Sequence, residues 1–228
     1  MDLKDLDFLA GQVLLIDKPK TWTSFDVVGK LRNLIKIKKI GHAGTLDPLA
    51  TGLLILCTGK MTKQIESYQA QEKEYTGTIT LGQTTPSYDA ETEVDAEKDI
   101  QHLTAEMVHE AVPAFLGEIE QIPPMYSAIK VNGQRLYKAA RKGKTVEVKA
   151  RQVTIHEFEI TNIDFPKVDF RIVCSKGTYI RSIAHDLGQA LNVGGHLAAL
   201  RRTRIGDFKV EDARTVEDFI AAFKKEEN

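Results

Sequence analysis

The sequence predicts an α+β fold, a mixed and mainly antiparallel sheet flanked by helices and loops. Three observations carry that reading. Apolar or alternating runs of strand length recur at 13–16, 53–57, 75–81, 153–160 and 168–174. Stretches with the period of an amphipathic helix fall between them, the clearest at 24–35 and 178–191. The alternating runs 153–160 and 168–174 follow one another closely, as neighbouring antiparallel strands do.

Taken in order, Gly11 to Asp17 reads as a buried strand that stops at Lys18-Pro19. Ser24 is the expected N-cap of a helix burying Val27, Val28, Leu31, Leu34 and Ile35. Lys36, Lys38 and Lys39 form a short basic patch ahead of a glycine-rich loop, and Leu53 to Cys57 is apolar throughout, as a core strand is. Residues 62–69 read as helical. Tyr75, Gly77, Ile79 and Leu81 alternate with threonines, the period of a half-buried strand. Residues 83–102 are polar and acidic, fitting a long excursion or edge hairpin. Thr104 caps a helix with Met107, Val108, Ala111 and Val112 on its inner face, and Pro113 bends or ends it. Gly117 to Ile122 is a short strand, and Asn132-Gly133 is a hairpin turn signal leading into a short helix at 136–142 that stops at Gly143. A final helix spans 215–223. No repeat or linker divides the 228 residues, so one domain is expected over 1–228.

Charge narrows the function. The chain holds 31 Lys and Arg against 32 Asp and Glu, which excludes a protein that coats nucleic acid indiscriminately. The charges are segregated, however. Lys130 to Arg151 carries eight cations and one acid, whereas Asp89 to Asp99 carries six acids and one lysine. A basic segment on a near-neutral chain suits one local polyanion-binding surface. The segment is poor in large apolar residues, and a mobile flap is expected over about 124–151. The first residues lack the pattern of a signal peptide, and no apolar run is long enough to span a membrane. Cys57 and Cys174 lie far apart in apolar runs, as free buried thiols in a reducing cytoplasm do.

The stretch from Gly41 to Gly52 organises the rest. Three glycines, one proline and two threonines in twelve positions exclude a regular helix or strand, yet the loop runs into the core strand at 53–57. Such a loop can hold one reactive group rigidly. The candidate is Asp47, the only carboxylate between Asp26 and Glu66, with Pro48 fixing the backbone beside it. An Asx-turn role for Asp47 is the local alternative. Phosphate-loop, G-x-S-x-G, C-x-x-C and H-E-x-x-H patterns are absent, and His42, His185 and His196 are too scattered for a chelate. No metal and no cofactor is expected.

Six stretches in order resemble the bacterial tRNA pseudouridine(55) synthase family, TruB. They are Ile16 to Pro19, Gly41 to Gly52, Lys73 to Tyr75, Pro123 to Ala128, Gly177 to Ser182 and Gly195 to Thr203. The resemblance covers nearly the whole chain. It implies that a uridine in the T loop of tRNA is detached from its ribose and rejoined through C5, without cofactor or obligatory protein partner. Asp47 matches the catalytic aspartate, acting as nucleophile at C1′ or base at C2′. Arg181 matches an arginine that pairs with that carboxylate, and Tyr75 a tyrosine that stacks on the base. Tyr179 and Leu200 match base-pocket residues, and Lys18 falls with the substrate-binding group, in a structural or backbone-binding capacity. His42 matches the residue that fills the stack vacated by the flipped base. Lys130, Arg135, Arg141, Lys142 and Lys144 match an insertion that grips phosphates of the T arm. Larger relatives carry a further β-rich RNA-binding domain, which is not expected here. The alternatives are a synthase acting at another RNA site and a non-catalytic RNA-binding or RNA-folding domain of the same fold.

Overall fold

A computed structural model describes residues 3–127, 129–131, 133–140, 143 and 146–224. In chain order the strands and helices are β1 (Val13–Lys18), α1 (Ser24–Ile35), β2 (Ile40–Ala43), β3 (Thr51–Thr58), α2 (Ile65–Ala70), β4 (Lys73–Leu81), β5 (Gln83–Thr84), β6 (Ala96–Glu97), α3 (Ala105–Ala111), β7 (Gly117–Gln121), β8 (Lys130–Val131), β9 (Gln134–Arg135), α4 (Leu136–Ala140), β10 (Arg151–Asp164), β11 (Lys167–Cys174), α5 (Ile180–Ala190), β12 (Gly195–Ile205), β13 (Phe208–Lys209), β14 (Arg214–Thr215) and α6 (Val216–Lys224). The chain forms two compact units, one of residues 1–75 with 200–228 and the other of residues 76–199.

In the first unit β1 lies antiparallel to β3, Leu15 opposite Ile55, while β14 runs parallel to β1 and β12 parallel to β3. Leu53 to Cys57 is fully buried, which explains why that strand reads as a continuous apolar run. Helix α1 covers one face with Val27, Val28 and Leu31, packed with Leu54, Leu56 and Phe219 in one cluster. Burying each such side chain contributes roughly 1.5–3 kcal/mol. The N-cap lies one residue earlier than the one assigned from sequence. Thr23 is the cap: its hydroxyl accepts from Asp26 N at 3.0 Å while Asp26 Oδ2 accepts from Thr23 N at 2.8 Å. This reciprocal capping box holds Asp26 below the usual carboxylate range, the Thr23 hydroxyl and backbone being its main causes. Ser24 does another job, described below.

Gly52 has a φ of +100°, and a Cβ there would stand 2.3 Å from the Arg202 carbonyl oxygen. Only glycine permits β3 to enter against β12 at that point. Segment 195–205, left unassigned by sequence patterns, is the 11-residue strand β12. Helical residues at 62–69 divide into a 3₁₀ turn over Gly59–Gln64 and the short α2.

In the second unit β11 and β10 are antiparallel, with Phe158 opposite Ile172, and β7 pairs antiparallel with β10. The acidic stretch holds the expected hairpin, β5 with β6. Thr104 caps α3 as expected, but Met107 faces out at 36% exposure while Val108 and Val112 are buried. Helix α5 buries Ile180, Ile183, Ala184 and Leu187. Both cysteines are free and buried, and burial pushes the Cys57 thiol up to about 11. Among the described residues no helix is long and apolar enough to cross a membrane.

Candidate active site

Asp47 sits in the first unit on the loop between β2 and β3. Ala50 N donates to Asp47 O at 3.1 Å, closing a β-turn with Pro48 in its second position. The turn is thus closed by a main-chain bond. Thr21 N donates to Pro48 O at 2.7 Å. Ser24 Oγ accepts from Leu46 N at 2.9 Å and lies 3.3 Å from Leu46 O, fastening the start of α1 to the residue before Asp47.

Two buried cations brace this loop. Lys18 is wholly buried, and its ammonium donates to Trp22 O at 2.6 Å, Pro19 O at 2.9 Å and Pro48 O at 3.4 Å. The ammonium is thus spent on backbone carbonyls, and none of the side chain reaches solvent. Burial lowers its pKa to about 8, with Arg202 lowering it further, while Asp47 and then Asp26 oppose this. Arg202 is 1% exposed. Its Nε donates to Leu53 O at 2.8 Å and its Nη2 to Gly44 O at 3.2 Å, so one guanidinium ties the two ends of the loop together. The neighbouring Arg201 clasps Asp17 with both nitrogens, at 3.0 and 2.7 Å. Neither arginine was singled out by sequence, because a cationic run reads as a solvated surface.

His42 is on β2, partly buried, with its ring edge-to-face against Phe25 at 5.2 Å and 86°. Burial and then the Arg202 charge lower its pKa, with a contact to the Gly44 backbone opposing them. The shift favours the neutral form of the imidazole. Tyr75 is buried at 9% exposure at the end of the first unit's part of β4, and Leu200 is half-buried on β12.

Arg181 and Tyr179 belong to the second unit, at the start of α5. Arg181 is 3% exposed; Nη1 donates to Ser87 O at 3.1 Å, Nη2 to Tyr126 O at 2.9 Å, and Nε stands 3.5 Å from Asp89 Oδ2. Asp89, buried at 4% exposure, is itself held by Ser87 Oγ at 2.6 Å and Glu91 N at 2.9 Å. The Arg181 guanidinium is held by two carbonyls and a carboxylate. Asp89 was missed since it opens an acidic run whose other members are solvated. Tyr179 is fixed through its backbone: Gln121 Oε1 accepts from Tyr179 N at 2.7 Å and Gln121 Nε2 donates to Tyr179 O at 3.1 Å. Gln121 is completely buried. The Arg151 guanidinium lies 4.5 Å above the Tyr179 ring centre.

His185 stacks on Tyr88 at 3.8 Å, and His196 Nδ1 lies 3.3 Å from Gln83 O. Among the described residues no group of three or more His, Cys, Asp or Glu could hold a metal ion. Of the proposed phosphate-gripping residues, Lys130 and Arg135 pair across the β8–β9 hairpin. Arg141, Lys142 and Lys144 lie outside the described residues.

Comparison with known proteins places the chain in a class with known members, the pseudouridine synthases. Residues 32–180 match the family model described as the TruB family pseudouridylate synthase N-terminal domain, and 181–228 match the tRNA pseudouridylate synthase B C-terminal domain. The chain belongs to the TruB family. It is 58% identical to tRNA pseudouridine synthase B of Flavobacterium johnsoniae over 91% of this chain and 93% of that one. For the Phocaeicola vulgatus protein of the same name the identity is 54%, over 94% of each. Among solved structures, a chain of a Cbf5-Nop10-Gar1 complex is 32% identical with a TM-score of 0.74, matching 96% of this chain and 56% of its own length. A chain from an H/ACA RNP bound to a substrate RNA containing 2'-deoxyuridine is 27% identical with a TM-score of 0.71, over 96% of this chain and 56% of that one.

Proposed function

We propose that the chain isomerises uridine 55 in the T loop of tRNA to pseudouridine, in the cytoplasm, with no cofactor and no obligatory protein partner. The observation that carries this is Asp47 on its main-chain-closed turn, with Lys18 and Arg202 holding the loop from beneath. Its carboxylate acts at the sugar, as nucleophile at C1′ or base at C2′. The N1–C1′ bond breaks, the base turns, the C5–C1′ bond forms, C5 gives up its proton and N1 gains one, so the product is an isomer. Tyr75, Tyr179, Arg181 and Leu200 take the base-side and carboxylate-side roles that the TruB motifs assign them. His42 occupies the stack that the uridine leaves, offsetting an unstacking cost of roughly a few kcal/mol. Lys130, Arg135, Arg141, Lys142 and Lys144 grip phosphates of the T arm.

Support comes from relatives named tRNA pseudouridine synthase B at more than half identity and from the ordered motifs. The test is to incubate the purified chain with unmodified tRNA transcript and map pseudouridine along it. A single new pseudouridine at position 55 is expected. Modification elsewhere would reassign the site, and binding without modification would leave an RNA-binding or RNA-folding role.

A further inference from the structure

We infer that Phe25 is a second base-stacking residue: its exposed ring takes a nucleobase of the RNA loop beside the uridine that His42 replaces, and exposed cations of segment 20–39 engage the adjoining phosphates. This rests on the RNA substrate and the role of His42 proposed above.

Helix α1 buries Val27, Val28 and Leu31, but Phe25 points away at 66% exposure. A lone exposed phenylalanine is ordinary; this one is held. Its ring meets the His42 ring at 5.2 Å and 86°, while its exposure leaves a face open to solvent. The backbone beside it is fixed too, because Ser24 Oγ bonds Leu46 N and Leu46 precedes Asp47. The capping box of Thr23 and Asp26 fixes the other side. An aromatic ring with no place in the core is thereby set at a constant distance from the loop that carries Asp47.

Charge identifies the occupant. Lys20, Lys30, Arg32, Lys36, Lys38 and Lys39 are all exposed, and Asp26 is the single acid among residues 18–42. An open aromatic ring within a cationic segment is the arrangement that takes single-stranded nucleic acid, bases on the ring and phosphates on the cations. A partner protein with an apolar knob would need no such charge, and a second copy of this chain would bring the same cations against them.

The experiment uses the full chain and an unmodified T-arm hairpin RNA, with 2-aminopurine placed in turn at the loop positions flanking the target. Wild type should quench the probe at one flanking position. Phe25→Ala and Phe25→Leu should each lose that quenching and bind roughly 5- to 100-fold more weakly, while Phe25→Trp retains both. The Phe25→Ala loss should persist in a His42→Ala background, since a ring that merely props His42 would have no further effect there. An unchanged melting temperature confirms that the exposed position does not disturb folding. Binding by Phe25→Leu equal to wild type, or no effect of Phe25→Ala, overturns the inference while leaving the enzyme's activity in place. A wild-type chain that forms no pseudouridine in any RNA overturns the reading of function and this inference with it.

Discussion

The ammonium of Lys18 stands 3.4 Å from the carbonyl oxygen of Pro48, the residue that follows Asp47. A buried cation therefore reports directly on the loop that carries the carboxylate. With its pKa lowered to about 8 mainly by burial, Lys18 loses its proton within an accessible pH range. The folded-state pKa lies below the unfolded value, so the unfolded chain binds the extra proton between pH 8 and about 10.5. Stability from this group should thus rise with pH across that window, and it is lost as pH falls through 8. Turnover should move the other way, declining above about pH 8 as the loop loses a charged donor. Lys18→Met should remove that alkaline limb, measured as kcat against pH beside the melting temperature. A limb that survives in Lys18→Met belongs to another group.

Asp47→Asn keeps the size of the side chain and the main-chain turn closed by Ala50 N. Affinity for tRNA should remain within a few-fold of wild type, while pseudouridine formation falls below detection. Binding and turnover are to be measured on one preparation with a melting temperature near wild type. Activity above a few per cent would remove Asp47 from the chemistry.

Arg202→Met should be the most damaging change in the first unit outside the apolar core. It leaves the buried carbonyl of Leu53 and the part-buried carbonyl of Gly44 without their donor, at about 2–5 kcal/mol. For a chain of this size that lowers Tm by roughly 5–15 °C. Arg202→Lys cannot reach both carbonyls with one planar fork and should recover less than half of the loss in thermal unfolding.

Gln121→Leu removes both bonds to the Tyr179 backbone. The strand β7 should survive, since its pairing with β10 is made by the main chain. The expected result is a lower kcat with little change in tRNA affinity, read by single-turnover kinetics against filter binding. A fall in affinity equal to the fall in rate would place Gln121 on the binding side instead.

Replacing Arg141, Lys142 and Lys144 together should weaken tRNA binding and flatten its salt dependence by about 0.7–0.9 per lost phosphate contact. An unaltered slope of log K against log salt would show that this segment does not grip phosphates.

Sequence made some of this legible and hid the rest for physical reasons. Leu53 to Cys57 announced itself because a strand buried on both faces must be apolar throughout. Asp47 stood out because its loop holds residues that regular structure excludes. Thr23 and Ser24 were confused because both can cap, and only the Ser24–Leu46 contact, 22 residues away, reveals which hydroxyl is already occupied. Arg202 and Asp89 escaped notice because burial of a charge depends on partners distant in the chain. Arg202 answers to Leu53, 149 positions earlier, and Asp89 to Arg181 on another element of the second unit. No local pattern encodes such pairings.

The absence of a side chain at Gly52 has a temporal meaning. Thr51 and Gly52 pair with Arg201 and Arg202, so the exit of the Asp47 loop is completed by residues that the ribosome adds some 150 positions later. Until then the nascent chain has Asp47 on a loop whose two ends lack the guanidinium that joins them. A polypeptide interrupted before residue 200 carries Asp47 on a loop that lacks its Arg202 tie.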